Sequence, residues 1–298
     1  MVVLLRQRLH RVAAAFCLSI VVVSAAAGCV DTSAVKRFAA ASAEAGEEFD
    51  TVANDLPALC NRQQRYLALA DSQITMDSIR QRSEEGCGEY TALASRLTGA
   101  NKILVAYLKA LGRLADDKLV VYDKRIDGFA DALDDADMFD SEKIEAVRGL
   151  ATIITNAAAG QWRRKQMKTA IEEANPDVQT LTAALGNVIE MDYARLLDVE
   201  REAAKHYYLG QIREHGQAEP LTVTLVLDRW KEEDAAVGER ASAAAAAVKI
   251  LDRVARGHQK LYDNRDDLNS SQVRELLVEY TVILEDLVKD ITDLRDAF

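Results

Sequence analysis

The feature that most constrains this chain is a run of apolar side chains returning every three or four residues from residue 35 to the last residue, 298. Val35, Phe38, Ala45, Phe49, Val52, Leu56, Leu59 and Tyr66 open the series, and Val273, Leu277, Tyr280, Leu284, Leu287, Ile291, Leu294 and Phe298 close it. Such spacing lines one face of an α-helix, whereas a strand needs alternation. Only three prolines in 298 residues stand against this pattern, so helices of 30 to 40 residues are expected, about 45–60 Å long. Short connections between long helices make neighbours antiparallel. The expected fold is all-α, an elongated antiparallel bundle of about five or six long helices.

Individual elements follow from breaks in the periodicity. Pro57 should kink the first helix or start a new one. Asp71 to Glu85 is polar and fits a short helix bounded by Gly86 and Gly88. A second long helix is expected from about Tyr90 through Leu97, Leu104 and Leu111 toward Ile126, Phe129 and Leu133. Ser141 reads as the N-cap of a third, and Asn175-Pro176 as the restart that opens a fourth, which ends near Gly216. Pro220 opens the fifth; Leu221 to Leu227 is β-branched enough for a strand, but no partner run exists and helix is the reading. The stripe of the last helix also suits a contact surface for a partner. Gly112, Gly149, Gly186 and Gly238 either permit close helix approach or are merely tolerated.

The first residues carry a different signal. Arg6, Arg8 and Arg11 precede an uncharged apolar run from Val12 to Ala27, and small residues follow up to Cys29. This is the layout of an export signal, with an apolar stretch too short to span a bilayer comfortably. Ala26-Ala27-Gly28-Cys29 resembles the lipobox of bacterial lipoprotein signal peptides, usually Leu-Ala-Gly-Cys, and departs from it at Ala26. The resemblance covers about a tenth of the chain. It implies cleavage between Gly28 and Cys29, acylation of Cys29 and membrane anchoring there, since several acyl chains hold where one does not. Val30 rather than Asp follows Cys29, which in that family favours the periplasmic face of an outer membrane. The competing reading is an ordinary signal peptide cut after Ala27. On the lipoprotein reading, residues 1–28 are the signal peptide and residues 29–298 a helical periplasmic domain anchored at Cys29.

Export bears on the cysteines. Cys17 would leave with the signal and Cys29 would carry lipid, leaving Cys60 and Cys87 in an oxidising compartment where paired thiols usually join. Two buried free thiols are the alternative, and a zinc site lacks any nearby His.

Chemistry is sparse. No nucleophile elbow, Walker loop, His-Glu-x-x-His or dinucleotide fingerprint occurs. His206 lies one turn after Glu202, which makes two potential ligands and no site. Asp131, Asp134, Asp135, Asp137 and Asp140 lack the spacing of an EF-hand. We therefore expect no catalytic residue, no cofactor and no metal. Residues 29–298 carry 34 Lys and Arg against 48 Asp and Glu, and so acidic a body disfavours nucleic acid. Its one basic run, Arg163, Arg164, Lys165 and Lys168 beside Trp162, is the candidate partner patch, set against a solvated face next to a core tryptophan. Tyr207 and Tyr208 could line a small-ligand cleft. The leading expectation is a lipid-anchored, non-enzymatic module that binds another envelope protein; a periplasmic ligand-binding or sensing domain comes second and an envelope hydrolase third.

Overall fold

The computed structural model describes residues 31–69, 75–121, 140–159 and 166–298. Apart from residues 1–31, the chain is one compact unit, Thr32–Phe298. In it, α1 (Ser33–Leu69), α2 (Met76–Ala115), α3 (Ser141–Ala158), α4 (Met167–Asn187), α5 (Ala194–His215), α6 (Pro220–Asp263) and α7 (Ser271–Asp293) form an all-α bundle. A π-helical turn, Val188–Tyr193, joins α4 to α5 without a break, and a 3-10 turn, Arg295–Ala297, follows α7. The described residues contain no strand. None of their helices is long and apolar enough to cross a membrane.

α1 is the central strut, packed against α2, α5, α6 and α7. Small side chains make this possible: Ala34, Ala39, Ala41, Ala43, Ala45 and Ala53 are all buried along it, and thin positions let several helices crowd one axis. Its pairing with α2 is antiparallel and holds one register throughout. Thr32 Oγ1 donates to Ala115 O, Asn101 Nδ2 to Gly46 O, and Cys60 Sγ lies 2.01 Å from Cys87 Sγ. Reducing that cysteine pair should lower stability by about 3–4 kcal/mol, the loop-closure entropy of its span. Urea unfolding with and without reductant measures this, and an unmoved midpoint would exclude a closed link.

α4 and α5 run antiparallel to α6, through Asn175 to Gln259 near one end and Glu200 to Arg240 further along. α5 runs parallel to α1, because Tyr193 and Glu200 meet Asp55 and Arg62 in the same order. α7 turns Val273, Leu277, Leu284, Leu287 and Ile291 inward, where α1 and α6 pack against it, and leaves Val278 and Val282 exposed.

Several local expectations are corrected. α1 continues past Pro57, so no new helix starts there, and α4 runs through Pro176. At Asn175 the side chain does not cap a helix; it bonds to His258 and Gln259 on α6. α2 begins at Met76, with Thr75 and Ser78 forming a reciprocal cap, and passes through Gly86 and Gly88. It stops at Ala115, since Asp117 adopts φ 54°, a left-handed conformation a helix cannot continue through. Ile126, Phe129 and Leu133 lie outside the described residues. Asp140, not Ser141, caps α3, its side chain accepting from Lys143 N. Pro220 does open α6, and Leu221 to Leu227 is helical.

Close approach is needed at several glycines. A Cβ at Gly257 would run into the Phe38 ring, and one at Gly46 would meet Val105 Cγ2 at 2.8 Å. At Gly149 it would strike the Asp177 carboxylate, whereas Gly112, Gly186 and Gly238 have ordinary room.

Candidate functional site

Two buried polar clusters and one exposed hairpin are the places where this bundle departs from plain apolar packing. The first cluster sits beside the π-helical turn. Arg62 of α1 donates from both terminal nitrogens to Asp55, at 2.9 and 2.7 Å, and from Nε to Glu200 of α5 at 2.8 Å. Arg240 of α6 donates to the same Glu200 oxygen at 2.9 Å and to Ala297 O at 2.8 Å. Tyr193, the last residue of the π turn, donates its hydroxyl to Asp55 at 2.8 Å. Burial pushes the Glu200 carboxyl upward, against the downward pull of Arg62 and Arg240. Burial also opposes the Arg62 charge, but Asp55 and Glu200 together outweigh it and hold the guanidinium above its usual range. Two carboxylates and two guanidiniums thus neutralise one another where α1, α5, α6 and the final turn meet.

The second cluster lies deeper. His258 of α6 is fully buried. Tyr107 OH and His258 Nε2 are 2.6 Å apart, and His258 Nδ1 lies 2.9 Å from Asn175 Oδ1. Asn175 Nδ2 donates to Gln259 Oε1, so Oδ1 is the acceptor and Nδ1 carries the proton. Nε2 then accepts from tyrosine, and the ring is neutral. Burial pulls the histidine pKa down to about 3. Tyr107 is 1% exposed, so this chain of groups has no open face for a substrate and reads as a structural bridge between α2, α4 and α6.

The hairpin is formed by the end of α5 and the start of α6. Ala204 is the last buried residue of α5, and Val237 the first of α6. Past Tyr207 and Tyr208, which pack on Tyr66 of α1, the two helices run on about 12 Å to the turn. Ile212, Val223 and Val226 line a shallow cavity of about 270 Å³ between the helices, with His215 and Glu219 at the turn. Leu221 and Leu225 are 85% and 71% exposed. A larger groove of about 630 Å³ runs between α1 and α2, floored by Ala40, Ala43, Leu108 and Gly112 and rimmed by charge.

Of the residues singled out from sequence, Cys60 and Cys87 are brought together. Gly28, Cys29, Trp162, Arg163, Arg164 and Lys165 lie outside the described residues, as do Asp131, Asp134, Asp135 and Asp137. Lys168 pairs with Asp266 beyond the end of α6. Tyr207 and Tyr208 pack against each other and Tyr66, with centroids 5.2–6.0 Å apart. Glu202 pairs with Lys205 rather than joining His206, and the described residues hold no group of three metal-ligating side chains. Sequence reasoning missed Asp55, Arg62, Glu200, Arg240 and the His258 bridge. Its one available signal was charge on a buried stripe: Glu200 falls between Leu196 and Ala204, and Arg240 between Val237 and Ala244. No protein-family model, curated protein or solved structure matches the chain.

Proposed function

We propose that this protein is a lipid-tethered, non-enzymatic helical module of the cell envelope that works by protein–protein contact through the α5/α6 hairpin. The observation that carries the reading is the solvent exposure of Leu221 and Leu225 on a hairpin outside the bundle core. Apolar contacts of this kind stabilise association more than they stabilise the isolated fold. Cys29, three residues before Thr32, is the lipid attachment point in this reading, and the periplasmic face of the outer membrane is the location that the residue after it favours.

The geometry suits a tether. Thr32 sits at one end of α1, while Tyr66 near its other end packs on Tyr207 and Tyr208. α5 continues in the same direction, so the hairpin turn lies about 60 Å from Thr32 at 1.5 Å per helical residue. The proposed contact surface is thereby at the far end of the bundle from Thr32. Small-ligand sensing is the second reading, favoured by the α1/α2 groove; a compound library that raises the melting temperature would support it.

Crosslinking in intact cells followed by mass spectrometry tests the main reading. The native chain should capture a specific protein, and Leu221→Glu with Leu225→Glu should reduce capture at least tenfold. Cys29→Ser should release the chain from the membrane fraction. Undiminished capture by the hairpin variant would sink the hairpin as the contact surface.

A further inference from the structure

We infer that the partner seated on the α5/α6 hairpin is a second copy of this chain, an inference that rests on the hairpin being a contact surface. Residues 220–227 contain no charged side chain. Val223 and Val226 line the cavity toward Ile212 of α5, while Leu221 and Leu225 are exposed. A helical segment apolar on both sides is one covered on both sides, and the described residues cover only one. Tyr208, Leu209 and Trp230 extend the half-buried apolar surface along the same two helices.

Charge distinguishes a second copy from other occupants. Residues 29–298 carry 34 Lys and Arg against 48 Asp and Glu, so most of the surface repels its own image; residues 205–231 carry four against three. The charges at the base of the hairpin are also matched internally. Lys231 lies 3.3 Å from Asp228, and Arg229 lies 3.2 and 2.6 Å from Glu232 and Glu233. A strongly acidic or basic partner, or an anionic lipid surface, would be met by an excess of unpaired opposite charge. A two-fold interface instead places each patch against its own copy, where a net charge near zero avoids self-repulsion. Two copies tethered at the same point would present their hairpins at the same height, side by side, as a four-helix contact.

Sedimentation equilibrium of the purified chain at ~50 μM, where a micromolar association is largely formed, tests this. The native protein should sediment at twice the chain mass, and Leu221→Glu with Leu225→Glu should weaken association at least tenfold. Val278→Glu with Val282→Glu, on the exposed face of α7, should leave it unchanged. Circular dichroism melts check that both variants fold. In cells, full-length Leu225→Cys should form a disulfide-linked dimer. A monomeric native protein, or a dimer that survives the hairpin change, overturns self-pairing. If the native protein is monomeric but still captures a different protein through the hairpin, the contact-surface reading stands and only the identity of the partner falls. If it is monomeric and instead co-sediments with zwitterionic vesicles in a Leu221- and Leu225-dependent way, both fall in favour of a lipid contact.

Discussion

Glu200→Ala is expected to destabilise the protein by about 3–5 kcal/mol, because it leaves Arg240 buried without a carboxylate. Arg240 is 3% exposed and would keep the backbone carbonyl Ala297 O as an acceptor. Arg62 suffers less, since its two bonds to Asp55 persist. The asymmetry is informative: Glu200→Met with Arg240→Met removes both buried charges and should cost less than the sum of the single changes. Urea unfolding of the native protein, Glu200→Met, Arg240→Met and the double variant closes the cycle. A Glu200→Ala loss under 1 kcal/mol, or strict additivity, would show that solvent reaches these charges.

The second large effect is acid destabilisation centred on His258. Its folded-state pKa of about 3 lies below the ordinary value of 6.5 because burial disfavours the imidazolium. A lowered histidine pKa means that the unfolded chain binds the extra proton first. The stability is therefore complete above pH 6.5 and declines as pH falls toward 3, by a total on the order of 5 kcal/mol. Asp177 opposes this: desolvation raises its carboxyl to about 6 from 3.8, so ionising it costs stability as pH rises through that interval. Asp177 is only half-buried, and solvent screening makes its share the smaller one. Unfolding free energy should consequently fall between pH 6.5 and 4, and His258→Gln should start lower and show a flatter profile. Equal stability of the native protein at pH 7 and 4.5 would refute a neutral, proton-excluding His258, as would an NMR titration of its ring above pH 5.5. Asp116, Asp140 and Asp266, lowered by their lysine partners, lose their contribution largely below that window.

Helix periodicity was the most legible property. The stripes of α1 and α7 were readable residue by residue, because an apolar side chain every three or four positions has one way of being buried together. Pro220 was readable as a start for a local reason, its missing N–H falling where no helical acceptor exists. The Cys60–Cys87 pair was reachable from cysteine arithmetic once export was assumed. Where local rules failed, tertiary contacts overrode them. Asn175-Pro176 has the form of a helix start, yet Asn175 is engaged by His258 and Gln259, and the packing of α4 against α3 and α6 carries the helix through the proline.

The functional features were the least legible, for a physical reason. A sequence displays which residues share a helix face but not which faces meet. Asp55, Arg62, Glu200 and Arg240 come from three helices, and each alone reads as an ordinary surface charge. Leu221 and Leu225 fail in the opposite sense: by pattern they belong to a buried segment, and only the end of the surrounding bundle at Ala204 and Val237 leaves them in solvent. The sequence by itself therefore determined the helices, their amphipathic faces and the probable cysteine partner. The tertiary structure decided which charges are paired in the interior and which apolar face is left uncovered, because both depend on neighbours far away along the chain.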